Sequence, residues 1–260
     1  MLSYYTISTK KNQERTIYLE QYSFSKLSAF WQCKYQYFLT YIKREQKENN
    51  AFAQYGGFVH EILEKYAKGE LEIFDLIKYY DDRYPFYVTK PFPYNRYVDL
   101  GEKYFEDGLR FFKNFQGLDE YEILGVEQKF QQVIKDDYIL TGFIDLILKD
   151  KQGNLILHDW KSKNKFSSQK EKTKYARQLY LYSIYIKEKY GKYPDIMQFG
   201  MFRSDKTEKI EFSIEDFYEA FDWMDDTVKE IRLCEDFDEN TDYYFCNNLC
   251  DFRNICELKD

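Results

Sequence analysis

No apolar run in the chain is long enough to cross a bilayer, so no transmembrane helix is expected. The N-terminus, MLSYYTISTKKNQERTIYLE, lacks the apolar stretch of a secretory signal, and a cytoplasmic protein without a membrane partner is the expectation. Proline is scarce, at four residues, and no internal repeat or low-complexity linker divides the sequence. No G-x-x-x-x-G-K-[ST] loop occurs, so any ATP-driven unwinding must come from another protein. Cations do not outnumber acids: 38 Lys and Arg face 45 Asp and Glu, for a net charge of −7. That balance disfavours a protein that simply coats nucleic acid. Five cysteines in a chain with no export signal read as metal ligands before disulfides.

What is present is aromatic and charged. Tyr (27) and Phe (23) with Trp make 20% of the chain, and charged residues make 32%. Disordered chains lack aromatics, so a soluble folded protein is expected. A chain of 260 residues forms one large domain or two small ones, with a core that needs no disulfide staples. Three of the four prolines (Pro85, Pro91, Pro93) fall in PFYVTKPFPYN, the candidate connection between lobes.

Periodicity predicts helices first, with Ser25 capping a run through Tyr41, then Phe52–Lys68, Leu71–Tyr80 and Val98–Phe115. Three strands follow at Tyr121–Ile134, Asp137–Lys149 and Asn154–Lys161, separated by KDD and DKQGN turns, an antiparallel meander. A helix at Lys174–Tyr190, strands at Met197–Arg203 and Lys209–Phe212, and a helix at Ile214–Cys234 capped by Ser213 complete the order. The expectation is an α/β fold with a mixed central sheet flanked by helices. It divides into a helical N-terminal lobe (1–118, carrying Cys33 and His60), a sheet with its motif helix (119–213) and a C-terminal helix with a Cys-rich tail (214–260), all in one integrated domain.

Asp159 and Lys161 are two apart on a predicted strand and project from one face. Asp145 lies one hairpin turn away in G-x-x-D, and Glu127 lies on the strand before that. Two carboxylates beside an ammonium are what metal-dependent phosphodiester hydrolysis needs: the acids hold Mg²⁺ or Mn²⁺, and the lysine neutralises charge developing on phosphorus. The bland alternative is a pair of strand-end residues facing solvent, and Glu127 is equally a plain strand charge. His158 alternates with Asp159 and should face the other way. Lys161–Lys174 holds six Lys and one Glu, either a phosphate-binding patch or a solvated loop. Cys246, Cys250 and Cys256 form C-x3-C-x5-C, with Cys33 far upstream and Cys234 apart. Four thiolates suit tetrahedral Zn²⁺ or an iron–sulfur cluster, and spacing alone does not choose.

The ordered set resembles the PD-(D/E)XK nuclease superfamily, in its RecB-like branch. Gly56–His60 resembles the helical His motif, Gly142–Asp145 the G-x-x-D, Asp159–Lys161 the D-x-K, and Gln178–Tyr182 the Q-x-x-x-Y. The resemblance implies a restriction-endonuclease-like core. It implies His60, Asp145 and Asp159 as ligands of Mg²⁺ or Mn²⁺, Lys161 as catalytic, and Gln178 and Tyr182 as supporting; Glu127, read from the residues alone, is a further acid near the metal or a plain strand charge. Without the resemblance, His60 reads as a structural residue and Gln178 and Tyr182 as helix packing. The cysteines resemble those of AddB-type and CRISPR-associated nucleases, which implies a [4Fe–4S] cluster on Cys33, Cys246, Cys250 and Cys256. This chain departs in having C-x3-C for C-x2-C and Lys34 for the usual proline. The resulting expectation is a DNA exonuclease processing single-stranded or duplex ends in recombination, repair or phage DNA metabolism, working beside a separate helicase or recombination protein. Lys163, Lys165, Lys170, Lys172 and Lys174 would hold backbone phosphate. The alternatives are a CRISPR adaptation nuclease trimming spacer precursors, a non-catalytic DNA-end-binding subunit of a helicase–nuclease complex, and a zinc-tail protein with no nucleic-acid role.

Overall fold

The computed structural model describes residues 2–8, 14–239 and 242–256. Its centre is a seven-stranded mixed sheet with helices on both faces. β1 (Leu2–Ser8) pairs antiparallel with β2 (Glu14–Tyr22), so the N-terminal part is not purely helical as expected. The run TIYLEQY carries the β-branched and aromatic residues a strand prefers, hidden in the sequence behind a charged flank. α1 (Phe24–Gln32) is capped by Ser23, two residues before the expected Ser25, and the Ser23 hydroxyl accepts from Lys26 N at 3.1 Å. α2 (Lys34–Tyr37) runs into a π-helical turn at Phe38–Lys43.

α3 (Ala51–Ala67) starts at Asn50, whose side chain accepts from Ala53 N at 3.0 Å. α4 (Leu76–Tyr87) and α5 (Leu100–Asn114) follow, joined by the proline-rich segment. The meander stands within a residue of its expected limits: β3 (Glu122–Ile134), β4 (Tyr138–Lys149) and β5 (Leu155–Lys161). α6 (Gln169–Tyr190) begins five residues earlier than periodicity suggested, because Ser168 caps it and Glu171 reaches back to Ser167 N. β6 (Ile196–Met201), β7 (Lys206–Glu211) and α7 (Ile214–Leu233, capped by Ser213) complete the domain, and the tail turns through a π-helical segment at Phe245–Leu249.

β4 is the hub. It pairs with β3 along its length, while its other edge meets β2 at Tyr138–Leu140 and β5 at Leu146–Lys149. Two apolar layers sandwich the sheet. One joins Leu155, Leu157, Met197 and Phe199 to α6 and α7; the other joins Leu146, Leu148 and Ile156 to α3, α4 and α5. A small third cluster, Leu39, Cys250 and Phe252, seats the tail against the π turn after α2.

Candidate active site

Between its contacts with β2 and β5, residues 141–145 of β4 have no partner strand on that edge among the described residues. β4 and β5 part after the Leu146–His158 pair, and the Trp160 N–H, left without a ladder acceptor, donates to Asp145 Oδ2 at 2.7 Å. The gap in the sheet is therefore closed by a carboxylate, and Asp159 and Lys161 continue past it on β5.

The strands also change phase here. Ile144 and Ile147 lie in one apolar layer, Leu146 and Leu148 in the other; on β3, Phe130 belongs to the first and Val126 packs against the second. Such a switch needs a backbone irregularity in a pair whose side chains otherwise alternate. It falls where Glu127, at φ 44°, stands opposite Asp145. A left-handed φ on glutamate is strained by on the order of 1–3 kcal/mol, and it turns the Glu127 carboxyl toward Asp145 and His60. Ligand atoms of His60, Glu127 and Asp145 all lie within 4.8 Å of one another, with His60 Nδ1 3.5 Å from Asp145 Oδ2. α3 can bring His60 this close because Gly56, one turn earlier, faces Ser162 just beyond β5. A Cβ at Gly56 would lie 3.3 Å from the Ser162 hydroxyl.

Asp159 and Lys161 form a second group on the α6 face. Lys161 Nζ is 2.6 Å from Asp159 Oδ2 and donates to Gln178 Oε1 at 2.9 Å. Gln178 Nε2 donates to Asp159 Oδ1 at 2.8 Å and to the Tyr182 hydroxyl at 3.3 Å. Gln178 thus uses both ends of its amide to fix the acid and the base, and Tyr182, four residues on, holds Gln178. His158 faces the opposite layer, beside Gln198 and Trp160. The ammonium of Lys161 also lies 5.3 Å from the ring centre of Tyr175 and 5.5 Å from that of Phe199. Tyr175 escaped the sequence reading, although it sits three residues before Gln178 on the same helical face.

Burial pushes the Asp145 carboxyl above the usual carboxylate range, and the charge of Asp159 adds to the shift. Burial pushes Glu127 up to about 7, with Asp145 the next cause. Burial lowers the His60 imidazole, keeping it neutral with a lone pair to offer. Asp159 Oδ2 is buried, with the Lys161 ammonium 2.6 Å away. Crowded acids and a neutral imidazole fit a hard divalent cation, which would supply the missing positive charge. Of the expected ligands, His60 and Asp145 stand in the tight group and Asp159 outside it, while Glu127, expected only as a supporting acid, stands inside.

The lysine patch is not a uniform cationic surface. Lys163 pairs with Glu171 at 2.9 Å, Lys172 with Glu208 at 3.1 Å, and Lys174 donates to Gln32 at 3.3 Å. Lys165 and Lys170 are exposed and, among the described residues, have no ion-pair partner.

No disulfide joins the five cysteines. Burial pushes the Cys250 thiol up to about 11, and Cys33 and Cys256 add to the shift, so these three sulfurs share one neighbourhood. The tail is pinned there by Asn50 Nδ2 on Leu249 O (2.9 Å), Glu48 N on Asp251 O (3.1 Å) and Tyr35 N on Asp238 O (3.0 Å). Cys234 stands elsewhere, its thiol donating to Asp236 O at 3.0 Å.

A profile of the PD-(D/E)XK nuclease superfamily matches residues 21–257. Among solved structures, the chain is similar in fold to a candidate exonuclease from Eubacterium rectale. The TM-score is 0.53 at 13% identity, over 93% of this chain and 90% of that one. It also aligns with the protein SSO0001 at 16% identity and a TM-score of 0.36, over 79% of this chain and 98% of that one. No curated protein matches the chain.

Proposed function

The chain belongs to the PD-(D/E)XK nuclease superfamily, and from that premise we propose that it is a divalent-metal-dependent deoxyribonuclease trimming DNA ends as an exonuclease. The observation that carries this reading is the meeting of two groups at the β4–β5 gap: His60, Glu127 and Asp145 on one side, Asp159, Lys161 and Gln178 on the other. His60, Glu127 and Asp145 would hold Mg²⁺ or Mn²⁺, with Asp159 beside them on β5. The cation, when bound, acidifies water and polarises the phosphate. Lys161 presents its ammonium where negative charge grows on phosphorus, and Gln178 and Tyr182 keep it aimed there. Lys165 and Lys170, exposed beside this gap in sequence, offer charge to the backbone, while Lys163 and Lys172 must first leave their glutamates.

The reading extends to the tail. Cys33, Cys246, Cys250 and Cys256 supply four soft ligands, and the shared neighbourhood of three of their sulfurs fits a [4Fe–4S] cluster, with Zn²⁺ as the alternative occupant. Its role would be structural, fixing the tail to the segment after α1. Anaerobically purified protein should be brown. Cys250→Ala should lose the colour and Cys234→Ala keep it. A colourless preparation holding one equivalent of zinc would replace the cluster.

The deciding experiment is incubation with end-labelled single-stranded and duplex DNA in Mg²⁺, Mn²⁺ or EDTA. Release of label from the ends in metal, and none in EDTA or with Asp159→Ala, is expected. Cleavage that persists in EDTA overturns the metal assignment. An inert parental chain under all conditions points to an end-binding subunit that acts in recombination or repair without cutting.

A further inference from the structure

A cleft of about 310 Å³ lies between α1, the π turn that follows α2, α6 and the tail. Its lining carries two cations, Lys47 and Lys174, and no acid. Lys174, on α6, reaches across to Gln32 on α1 at 3.3 Å. Lys47 extends over the Tyr41 ring at 5.7 Å. Asp251, half-buried in the tail and outside the lining, lies in the field of Lys47, and Glu171 in that of Lys174. Ser28 and Thr40 also belong to the lining.

One residue joins this cleft to the reacting centre. Tyr175 lines the cleft, and its ring stands 5.3 Å from Lys161 Nζ and 5.2 Å from Lys163 Nζ. A strand whose scissile phosphate meets Lys161 would therefore pass the Tyr175 ring and enter the cleft with its neighbouring nucleotide. Aromatic faces stack unpaired bases whatever their sequence, and lysines take phosphate as point charges.

Resting on the nuclease reading, we propose that this cleft binds the nucleotide flanking the scissile phosphate of a single DNA strand. Lys47 and Lys174 hold its phosphate, and Tyr175 stacks its base. The size of the cleft admits one sugar–phosphate chain and no duplex, so an unpaired end is the substrate it selects.

The test measures binding without cleavage. A fluorescein-labelled oligothymidylate is titrated in EDTA by anisotropy at several salt concentrations, with the full-length protein and its Lys47→Gln/Lys174→Gln variant. Each phosphate contact on a single strand contributes about 0.7 to the slope of log affinity against log salt, and both lysines meet one phosphate, so the double variant should lose roughly 0.7. Ser28→Asp places a carboxylate in the cleft and should weaken binding further than Ser28→Ala. Parental affinity and slope in a Lys47→Gln/Lys174→Gln variant with parental circular dichroism overturn the proposal. So does an equal loss for a blunt duplex, which would make the lysines a general phosphate surface. Failure of the parental protein to cut DNA in Mg²⁺ or Mn²⁺ sinks the nuclease reading alone, because the slopes are read with no metal present.

Discussion

Gly142 is the position where the smallest change should have the most legible effect. A Cβ built there would lie 2.8 Å from Cε1 and 3.0 Å from Cζ of Tyr182, and 2.9 Å from Cε1 of Phe130. Both rings are buried and pack edge-to-face at 5.1 Å, so neither has room to retreat. The glycine of G-x-x-D is thus a seat for Tyr182, and Tyr182 in turn holds Gln178, which fixes Asp159 and Lys161. Gly142→Ala forces a methyl into this contact. Overpacking of this kind costs about 1–3 kcal/mol, which for a chain of this size lowers Tm by roughly 2–12 °C. Pushing Tyr182 aside should also loosen Gln178, so kcat should fall more than DNA affinity. Thermal unfolding followed by circular dichroism gives the first quantity and single-turnover cleavage the second. A double-mutant cycle separates the mechanism from general damage: Tyr182→Leu removes the obstructing ring atoms, and the two changes should couple by at least about 0.5 kcal/mol. Gly142→Ala with parental Tm and turnover, or strict additivity with Tyr182→Leu, would refute the reasoning.

Three other outcomes follow from the site. Lys161→Ala should lower turnover by roughly 10²–10³-fold while leaving DNA affinity nearly intact, since its charge matters most as negative charge develops; unchanged turnover with weaker binding would move Lys161 to the phosphate-binding surface. Mn²⁺ at a hundred times its Kd should stabilise the folded chain by about 2.7 kcal/mol, seen as a Tm rise of roughly 5–10 °C, and Glu127→Gln should diminish that rise if Glu127 is a ligand. In EDTA the folded chain keeps a proton on Glu127 up to about pH 7, whereas an unfolded glutamate releases it near about pH 4.3. Stability should therefore fall as pH rises through that window, and less steeply in Glu127→Gln; identical slopes in the two proteins would show that Glu127 is not held protonated.

The meander was legible because three runs of β-branched and aromatic residues are cut by polar turns, and local composition decides such strands. The opposite facings of Asp159 and His158 follow from strand alternation alone, and Asp159 meets α6 while His158 meets Gln198. Other features were out of reach for identifiable reasons. The face switch at Glu127 and Asp145 is a backbone event, and no residue type announces a left-handed glutamate. The pairing of Lys172 with Glu208 joins residues 36 apart in sequence, so the cationic run looked more uniform than it is. The start of α6 was readable but overlooked: Ser168 followed by Glu171 is a capping signal, outweighed by the lysines around it. The N-terminal strand pair stood behind a charged segment that reads as surface.

The irregularities of this fold converge on one point. Glu127 has an unfavourable backbone, Asp145 is a buried acid beside other acids, Asp159 is a buried charge held by Lys161, and Gly56 and Gly142 surrender their side chains so that α3 and Tyr182 can approach. None of these helps the chain fold, and each must be held by something stronger. What holds them are the two apolar layers, one on each face of the sheet. His60 arrives on α3 from one layer, Gln178 arrives on α6 from the other, and the phase change in β4 and β3 lets Asp145 and Glu127 reach across between them. Neither layer alone could assemble the site, because its acids lie at the seam. The helix α3 therefore depends on the sheet for more than packing. Separated from β4, His60 would lose the carboxylate 3.5 Å away, and the sheet would lose the imidazole that completes its acids.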